Sequence, residues 1–368
     1  MFPQKTLKNF TYFLGLLCIF AAVLVGCAAP STPAAQAQVP EGTQSVRGPW
    51  PTAGWTTSSP EEQGMDPQKL AEMLDTIQQK KLRLDSLLIV RHGYLVLEQY
   101  YGSYQQDTRH ELYSCTKSFI STLVGIALDQ GLLSGTDQPV LEFFYGRTFA
   151  NPDPRKNAMT LEDLLTMRSG LDWLEDDSTY QAMYLSPDWV KYVLDLPMAQ
   201  APGSNFLYCS GCSHVLSAIL QKAAGMGTLD FARRNLFEPL GITNLRWDTD
   251  RAGIPIGGWG LQITPRDMAK LGYLYLRGGQ WDGRQIVSPA WVERATQSQT
   301  STGGNLGYGY QWWIYPSLGG YTALGRYGQT IFVIPGSDLV IVTTATLDGH
   351  DEIFRLIEDY IVPAVKGP

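Results

Sequence analysis

β-rich segments stand at both ends of this chain and helix-forming segments fill the middle, which leaves few folds open. L-L-I-V-R-H-G-Y-L-V-L-E-Q-Y-Y (87–101) holds two strand-like runs around His92-Gly93, a tight-turn pair, and predicts a hairpin. Y-G-Y-Q-W-W-I-Y (308–315), R-Y-G-Q-T-I-F-V-I (326–334) and D-L-V-I-V-T-T-A (338–345) predict three more strands, the last two joined at Pro335-Gly336-Ser337. Between the ends, helix signals dominate. Asp66-Pro67 starts a helix running to about Lys80, T-x-x-D boxes stand at Thr160–Asp163 and Thr264–Asp267, Ser288-Pro289 opens another helix, and 351–362 has helical spacing. The prediction is an α+β fold: one antiparallel sheet assembled from both chain ends (about 55–110 and 300–368), flanked by terminal helices, with a mostly helical part (about 111–299) beside it. A cleft between the two parts is the expected place for a site.

The N-terminus is a separate element. Lys5 and Lys8 precede an apolar run from Phe10 to Val25, shorter than the roughly 20 residues that span a bilayer, and so predict a secretory signal over 1–26. Leu24-Val25-Gly26-Cys27 resembles the bacterial lipobox, which implies lipidation of Cys27 and a protein of the cell envelope tethered to a membrane; a plain cleaved signal or an uncleaved anchor are the alternatives. The small, polar, Pro-rich stretch over 27–54 reads as a flexible tether. A net charge of −7, with 17% charged residues and no long basic run, offers nucleic acid little, so none is expected as a partner.

H-E-L-Y-S-C-T-K-S-F (110–119) carries the chemistry. His110-Glu111 would open an H-E-x-x-H zinc helix, but the second imidazole position holds Ser114, so no metal and no cofactor are expected. Ser114 and Lys117 form the only S-x-x-K in the chain and open a helix that is apolar nearly all round. Three residues apart they share one helix face, and a buried lysine gives up its proton readily, so Lys117 can deprotonate Ser114. Free N–H groups at the helix start favour the resulting oxyanion. Cys115, Cys209 and Cys212 remain in the folded part; Cys209-x-x-Cys212 has redox or metal spacing but no companion cluster, and reads as buried small apolar residues. His214, inside an apolar helical stretch, reads as a core histidine. No G-x-S-x-G pentapeptide is present.

From about Trp55 onward the sequence resembles the serine β-lactamase and D-alanyl-D-alanine peptidase superfamily, in its class C-like branch with esterases and 6-aminohexanoate-dimer hydrolases. The resemblance rests on L-Y-S-C-T-K-S-F, L-L-T-M-R-S-G-L-D-W, F-L-Y-C-S-G-C-S-H, G-G-W-G-L-Q-I-T-P-R-D-M-A-K-L-G and G-R-Y-G-Q. It implies a β-lactamase/DD-peptidase-like fold, Ser114 as nucleophile and Lys117 as base. Tyr208 matches the family tyrosine, a phenol whose pKa nearby cations would lower and which passes the proton to the leaving group. Ser210 stands where many members have Asn. Arg326-Tyr327-Gly328-Gln329, expected on a strand, takes the place of the K-T-G element: Arg326 keeps the cation, Gly328 admits substrate backbone, and the N–H groups of Gln329 and Ser114 form the oxyanion hole. Tyr327 replaces a small hydroxyl residue, and Trp259, Trp312 and Trp313 either line an apolar pocket or belong to the core.

The leading expectation is therefore an extracytoplasmic serine hydrolase that acts on small ester, amide or peptide substrates through an acyl-enzyme. A penicillin-recognising peptidase or β-lactamase is the alternative within enzymes. A non-catalytic ligand-binding lipoprotein is the alternative outside them.

Overall fold

The structure, a computed structural model, describes residues 48–367. The expected signal, the lipidation candidate Cys27 and most of the expected tether lie outside the described residues. Trp50, inside the stretch assigned to the tether, packs on Tyr273 and Trp281 with ring centroids 5.3 and 5.6 Å away.

β-branched and aromatic runs form the strands, as their fit to a pleated surface requires. β1 (Leu84–Arg91) and β2 (Tyr94–Tyr100) make the expected hairpin. Its turn works because His92 and Gly93 both take positive φ, 52° and 82°, whose twist matches that of paired strands. β3 (His110–Glu111), β4 (Arg246–Trp247) and β5 (Leu261–Ile263) form a small sheet in the order β3-β5-β4, and β6 (Gln280–Trp281) pairs with β7 (Arg284–Gln285). The C-terminal region supplies β8 (Thr300–Ser301), β9 (Gly307–Tyr308), β10 (Trp313–Tyr315), β11 (Gly320–Gly325), β12 (Gln329–Ile334) and β13 (Leu339–Ala345). The eight-stranded sheet runs β2-β1-β13-β12-β11-β10-β9-β8, all antiparallel, so the chain ends meet where β1 pairs with β13. This is the predicted α+β arrangement.

Residues alternate across the sheet and bury both faces. Leu87, Ile89, Phe332 and Ile341 face the Pro67–Gln79 helix and the C-terminal segment from Asp351. Leu88, Val90, Ile331 and Val342 face the helical part. Fully burying one such side chain contributes about 1.5–3 kcal/mol, which is why a strand with no polar face is stable here. The Pro265–Leu276 helix lies close on the second face because Gly272 lets it: a Cβ there would stand 2.5 Å from Val340.

The run 308–315, expected as one strand, is broken between β9 and β10. At the break Gln311 takes φ 60° and turns a buried carboxamide into the helical part. Its Nε2 donates to the carbonyls of Leu164 (3.1 Å) and Leu165 (3.0 Å), Ser213 Oγ donates to its Oε1 (2.7 Å), and Ser118 Oγ donates to its carbonyl (2.7 Å). These bonds outweigh a continuous ladder and tie sheet to helices. The Thr116–Asp129 helix, buried from Thr116 to Ala127, and the Ser210–Ala224 helix meet beside this junction.

Candidate active site

β3 runs through Leu112 into a 3₁₀ turn, Tyr113–Cys115, that opens the Thr116–Asp129 helix. Leu112 N–H donates to Leu261 O at 2.9 Å, anchoring this entry to β5. Tyr113 takes φ 47°, a conformation rare for a non-glycine residue, and so turns the chain sharply at Ser114. Ser114 is half-buried on the turn and faces a cavity of about 690 Å³. Lys117, 1% exposed, lies one turn into the helix. Its Nζ donates to Ser114 Oγ (2.9 Å), Ser210 Oγ (2.9 Å) and Gly258 O (2.8 Å). Burial pushes its pKa down to about 8, against the pull of the Glu175 carboxylate. The spacing argument thus holds geometrically: Ser114 and Lys117 meet on one face.

Tyr208 joins them from the segment ahead of the Ser210–Ala224 helix. Lys117 Nζ lies 4.8 Å from the centre of its ring, the ring stacks on Trp313 at 5.7 Å, and its hydroxyl interacts with Ser114. The expectation of a lowered phenol pKa is wrong. Burial, with Glu175 adding to it, pushes the phenol up, and the Ser114 bond opposes this only in part. Lys117 sits over the ring face instead of at the oxygen, so Tyr208 is held as a neutral donor. Cys209 and Cys212 are also corrected: they form a disulfide, with Cα atoms 5.3 Å apart across the first turn of the helix, within ordinary disulfide reach. Cys209 also caps this helix, its Sγ accepting from Cys212 N–H at 3.0 Å. His214 is the expected core histidine, its Nε2 3.0 Å from Asp250.

Ser210 Oγ accepts from Lys117 and donates to Glu175 Oε1, while Ser210 N–H donates to Glu175 Oε2 at 3.1 Å. Glu175 is a residue that sequence reasoning missed. It also accepts from Trp173 Nε1 (2.5 Å) and the Tyr180 hydroxyl, so four donors converge on one carboxylate at the cavity wall. No motif marks L-E-D-D as special; the one available signal was its position just after the L-D-W that carries part of the family resemblance.

Tyr113, Tyr180, Tyr184 and Trp259 give the cavity its aromatic wall, and Glu175, Asp177, Gln181 and Arg326 its polar groups. Trp259 therefore lies where a substrate-binding residue was expected. Trp312 is fully buried in the core, and Trp313 backs Tyr208. Arg326-Tyr327-Gly328 departs from expectation: it is no strand but the turn between β11 and β12, with Tyr327 at φ 69° and Gly328 at φ 93°. The turn wins because Tyr327 packs edge-on against Tyr113 at 5.3 Å and Arg326 lies over its ring at 4.9 Å. Gly328 is buried under Ala345 and Leu347, away from the cavity wall. Gln329 opens β12, its carboxamide bonded to Ala345 and to Arg326 O and its carbonyl accepting from Cys115 Sγ at 3.3 Å. Gly325 at the other side of this hairpin end abuts Leu112, since a Cβ there would stand 2.2 Å from the Leu112 carbonyl. The hairpin end thus lies against the turn that carries Ser114.

Residues 62–366 match the family model described as Beta-lactamase. The 6-aminohexanoate-dimer hydrolase of Paenarthrobacter ureafaciens is 26% identical over 290 residues, covering 73% of this chain and 74% of the relative. Among solved structures, EstCE1, a hydrolase with promiscuous acyltransferase activity, superposes with a TM-score of 0.68 at 20% identity, covering 82% of this chain and 99% of that one. A penicillin binding protein from Bacillus halodurans does so with a TM-score of 0.65 at 18% identity, covering 78% and 98%. A family match spanning most of the chain, on a fold shared with both structures and around a Ser114–Lys117 pair, makes this protein a hydrolase of the Beta-lactamase family.

Proposed function

We propose that the protein hydrolyses small esters or amides through an acyl-enzyme on Ser114, on the outer side of a bacterial membrane to which Cys27 tethers it. The observation that carries this reading is the buried Lys117, bonded to Ser114 Oγ at 2.9 Å and with its pKa pushed down to about 8. At pH 7 roughly a tenth of such a lysine is neutral, enough to act as a base. The neutral amine takes the Ser114 proton as Oγ bonds to the substrate carbonyl carbon, and the carbonyl electrons move to oxygen. Ser114 N–H and the hairpin end, Gln329 N–H in the sequence reading, supply oxyanion donors. Collapse breaks the bond to the leaving group, which receives a proton from the Tyr208 hydroxyl; Tyr208 regains one from the Lys117 ammonium through a relaying solvent molecule, since Lys117 lies over the ring and not at the oxygen. Water then attacks the acyl carbon, giving a proton to Lys117; collapse breaks the bond to Ser114 Oγ, which takes that proton back from Lys117, and the acid is released.

Two features favour esters and open-chain amides over β-lactams. Ser210 Oγ is committed to Lys117 and Glu175, leaving no amide donor at that position. Tyr327 places an aromatic ring in the turn where a small hydroxyl residue would admit a lactam carboxylate. Losing one such hydrogen bond costs about 1–3 kcal/mol, or roughly ten- to a hundredfold in discrimination. The test uses the domain lacking residues 1–27. A fluorophosphonate should label Ser114, Ser114→Ala should abolish labelling and turnover, and kcat/KM for short-chain p-nitrophenyl esters should exceed that for cephalosporins. Turnover by the Ser114→Ala variant sinks the acyl-enzyme reading, and equal or faster lactam turnover moves the peptidase or β-lactamase reading to first place.

A further inference from the structure

Glu111, the residue that fails as part of a zinc motif, has a different place in the fold. One carboxylate oxygen, Oε1, accepts from two backbone donors, Gly260 N–H at 2.7 Å and Tyr113 N–H at 3.2 Å. Tyr113 is the positive-φ residue directly before Ser114. Gly260, at φ 91°, ends the Gly257-Gly258-Trp259-Gly260 loop, whose Gly258 carbonyl receives the Lys117 ammonium at 2.8 Å. That loop is pressed on the start of the Ser210–Ala224 helix: a Cβ on Gly257 would stand 2.0 Å from Ser213 O, and one on Gly258 2.8 Å from Ser210 O. That contact blocks movement of the loop toward the helix, and the Glu111 bond at its Gly260 end opposes movement the other way. Glu111 itself is half-buried and is not part of the cavity wall, although Tyr113 and Trp259, beside the groups it holds, are. Asp248, paired with Arg246 at 2.9 Å, Gln262, Tyr113 and Tyr184 are the polar and titratable neighbours that face it.

We infer that Glu111 is a positioning residue for the acyl transfer: its one oxygen fixes the turn carrying Ser114 and the loop whose carbonyl holds Lys117 in a single frame, so that nucleophile and base stay in register. The inference rests on the acyl-enzyme reading above. Both partners are backbone N–H groups, which a neutral amide oxygen at the same reach also serves, though less strongly than a carboxylate; the position of the acceptor is therefore what sets the register. A displacement of about 1 Å in a reacting pair lowers rate by up to about a hundredfold.

Two conservative variants separate acceptor from charge. Glu111→Gln keeps an oxygen at the same reach without the charge, and Glu111→Asp keeps the charge but draws it back by one methylene. Turnover of p-nitrophenyl butyrate is measured per active site, with sites counted by end-point fluorophosphonate labelling and the fold checked by near-UV circular dichroism. Glu111→Gln is expected within about threefold of the parent in kcat, and Glu111→Asp about ten- to a hundredfold lower, with KM for both within about threefold because Glu111 does not line the cavity. Glu111→Asp at full kcat, or Glu111→Gln as low as Glu111→Asp, overturns the inference. Ser114→Ala in the same assay keeps the two claims apart: if it is dead while Glu111→Asp is fully active, the positioning role fails and the acyl-enzyme stands; if Ser114→Ala turns over, the reading beneath both fails.

Discussion

Replacing Glu175 with glutamine should move the acid limb of the pH–rate profile and leave the site's geometry almost unchanged. The Glu175 carboxylate and the Lys117 ammonium are joined through Ser210 Oγ, which accepts from Lys117 at 2.9 Å and donates to Glu175. Two hydrogen bonds in series put the charges roughly 5 Å apart, where their attraction is about 2–3 kcal/mol at an effective dielectric of about 20–40, or roughly 1–2 pH units in the lysine titration. Glu175 is exposed on its outer side, so solvent screening favours the lower figure, about 1. The amide can replace the carboxylate without orphaning a donor. Its oxygen serves the two obligate donors, Trp173 Nε1 and Ser210 N–H, and its NH₂ faces the two hydroxyls, Ser210 and Tyr180, which can accept as well as donate. The sign follows from the role. Neutral Lys117 is the active form, so activity rises as pH rises through its pKa, about 8 in the parent. Removing the anion disfavours the ammonium further, so the limb should move to lower pH by about 1 and activity at pH 6 should rise several-fold. The assay is kcat/KM for a p-nitrophenyl ester from pH 5 to 10 in both proteins at constant ionic strength. An acid limb that stays put, or moves to higher pH, refutes the coupling between Glu175 and the base.

Tyr208→Phe removes the proton donor but keeps the ring stacked on Trp313 and under Lys117, so kcat should fall by about 10²–10³-fold with KM changed only a few-fold; steady-state kinetics with an alkyl ester, whose leaving group needs a proton, checks this. If Cys27 carries the proposed lipid, Cys27→Ser should move the full-length protein from the membrane to the soluble fraction, because acyl chains at about 0.8 kcal/mol per buried CH₂ would be what holds it there; a variant that stays with the membrane points to an uncleaved helix.

Local signals in the sequence sufficed for local features. β-rich runs bounded by turn signals in 87–101 and 326–345 named the strands that join the chain ends, and the S-x-x-K spacing brought Ser114 to Lys117, because in both cases the signal lies within a few residues. The errors share a different physical origin. Arg326-Tyr327-Gly328 looked like strand, but Tyr327 takes a positive φ for the sake of its ring contact with Tyr113, more than 200 residues earlier. The Tyr208 titration was misjudged because the sequence supplies a nearby cation but not its direction of approach, over the ring and away from the oxygen. Glu175 was missed because its partners Ser210 and Tyr180 reach it only once the loop before the Asp177–Leu185 helix folds across the site.

Ser210 and Glu175 make sense as a pair. A hydroxyl can accept from an ammonium and donate to a carboxylate through one oxygen, which brings the two charges within two hydrogen bonds of each other. An asparagine would need its oxygen on Lys117 and its nitrogen on Glu175, two atoms where there is little room: a Cβ added to Gly258 would already stand 3.1 Å from Ser210 Cβ, and the Gly258 carbonyl is itself bonded to Lys117. Serine at 210 therefore couples the base to an anion through a single oxygen. The effect on Lys117 is opposed to that of burial. Burial alone would lower its pKa by about one unit more, at the cost of basic strength; the carboxylate opposes this and the balance stands at about 8, near the pH at which a general base combines a useful free fraction with useful strength.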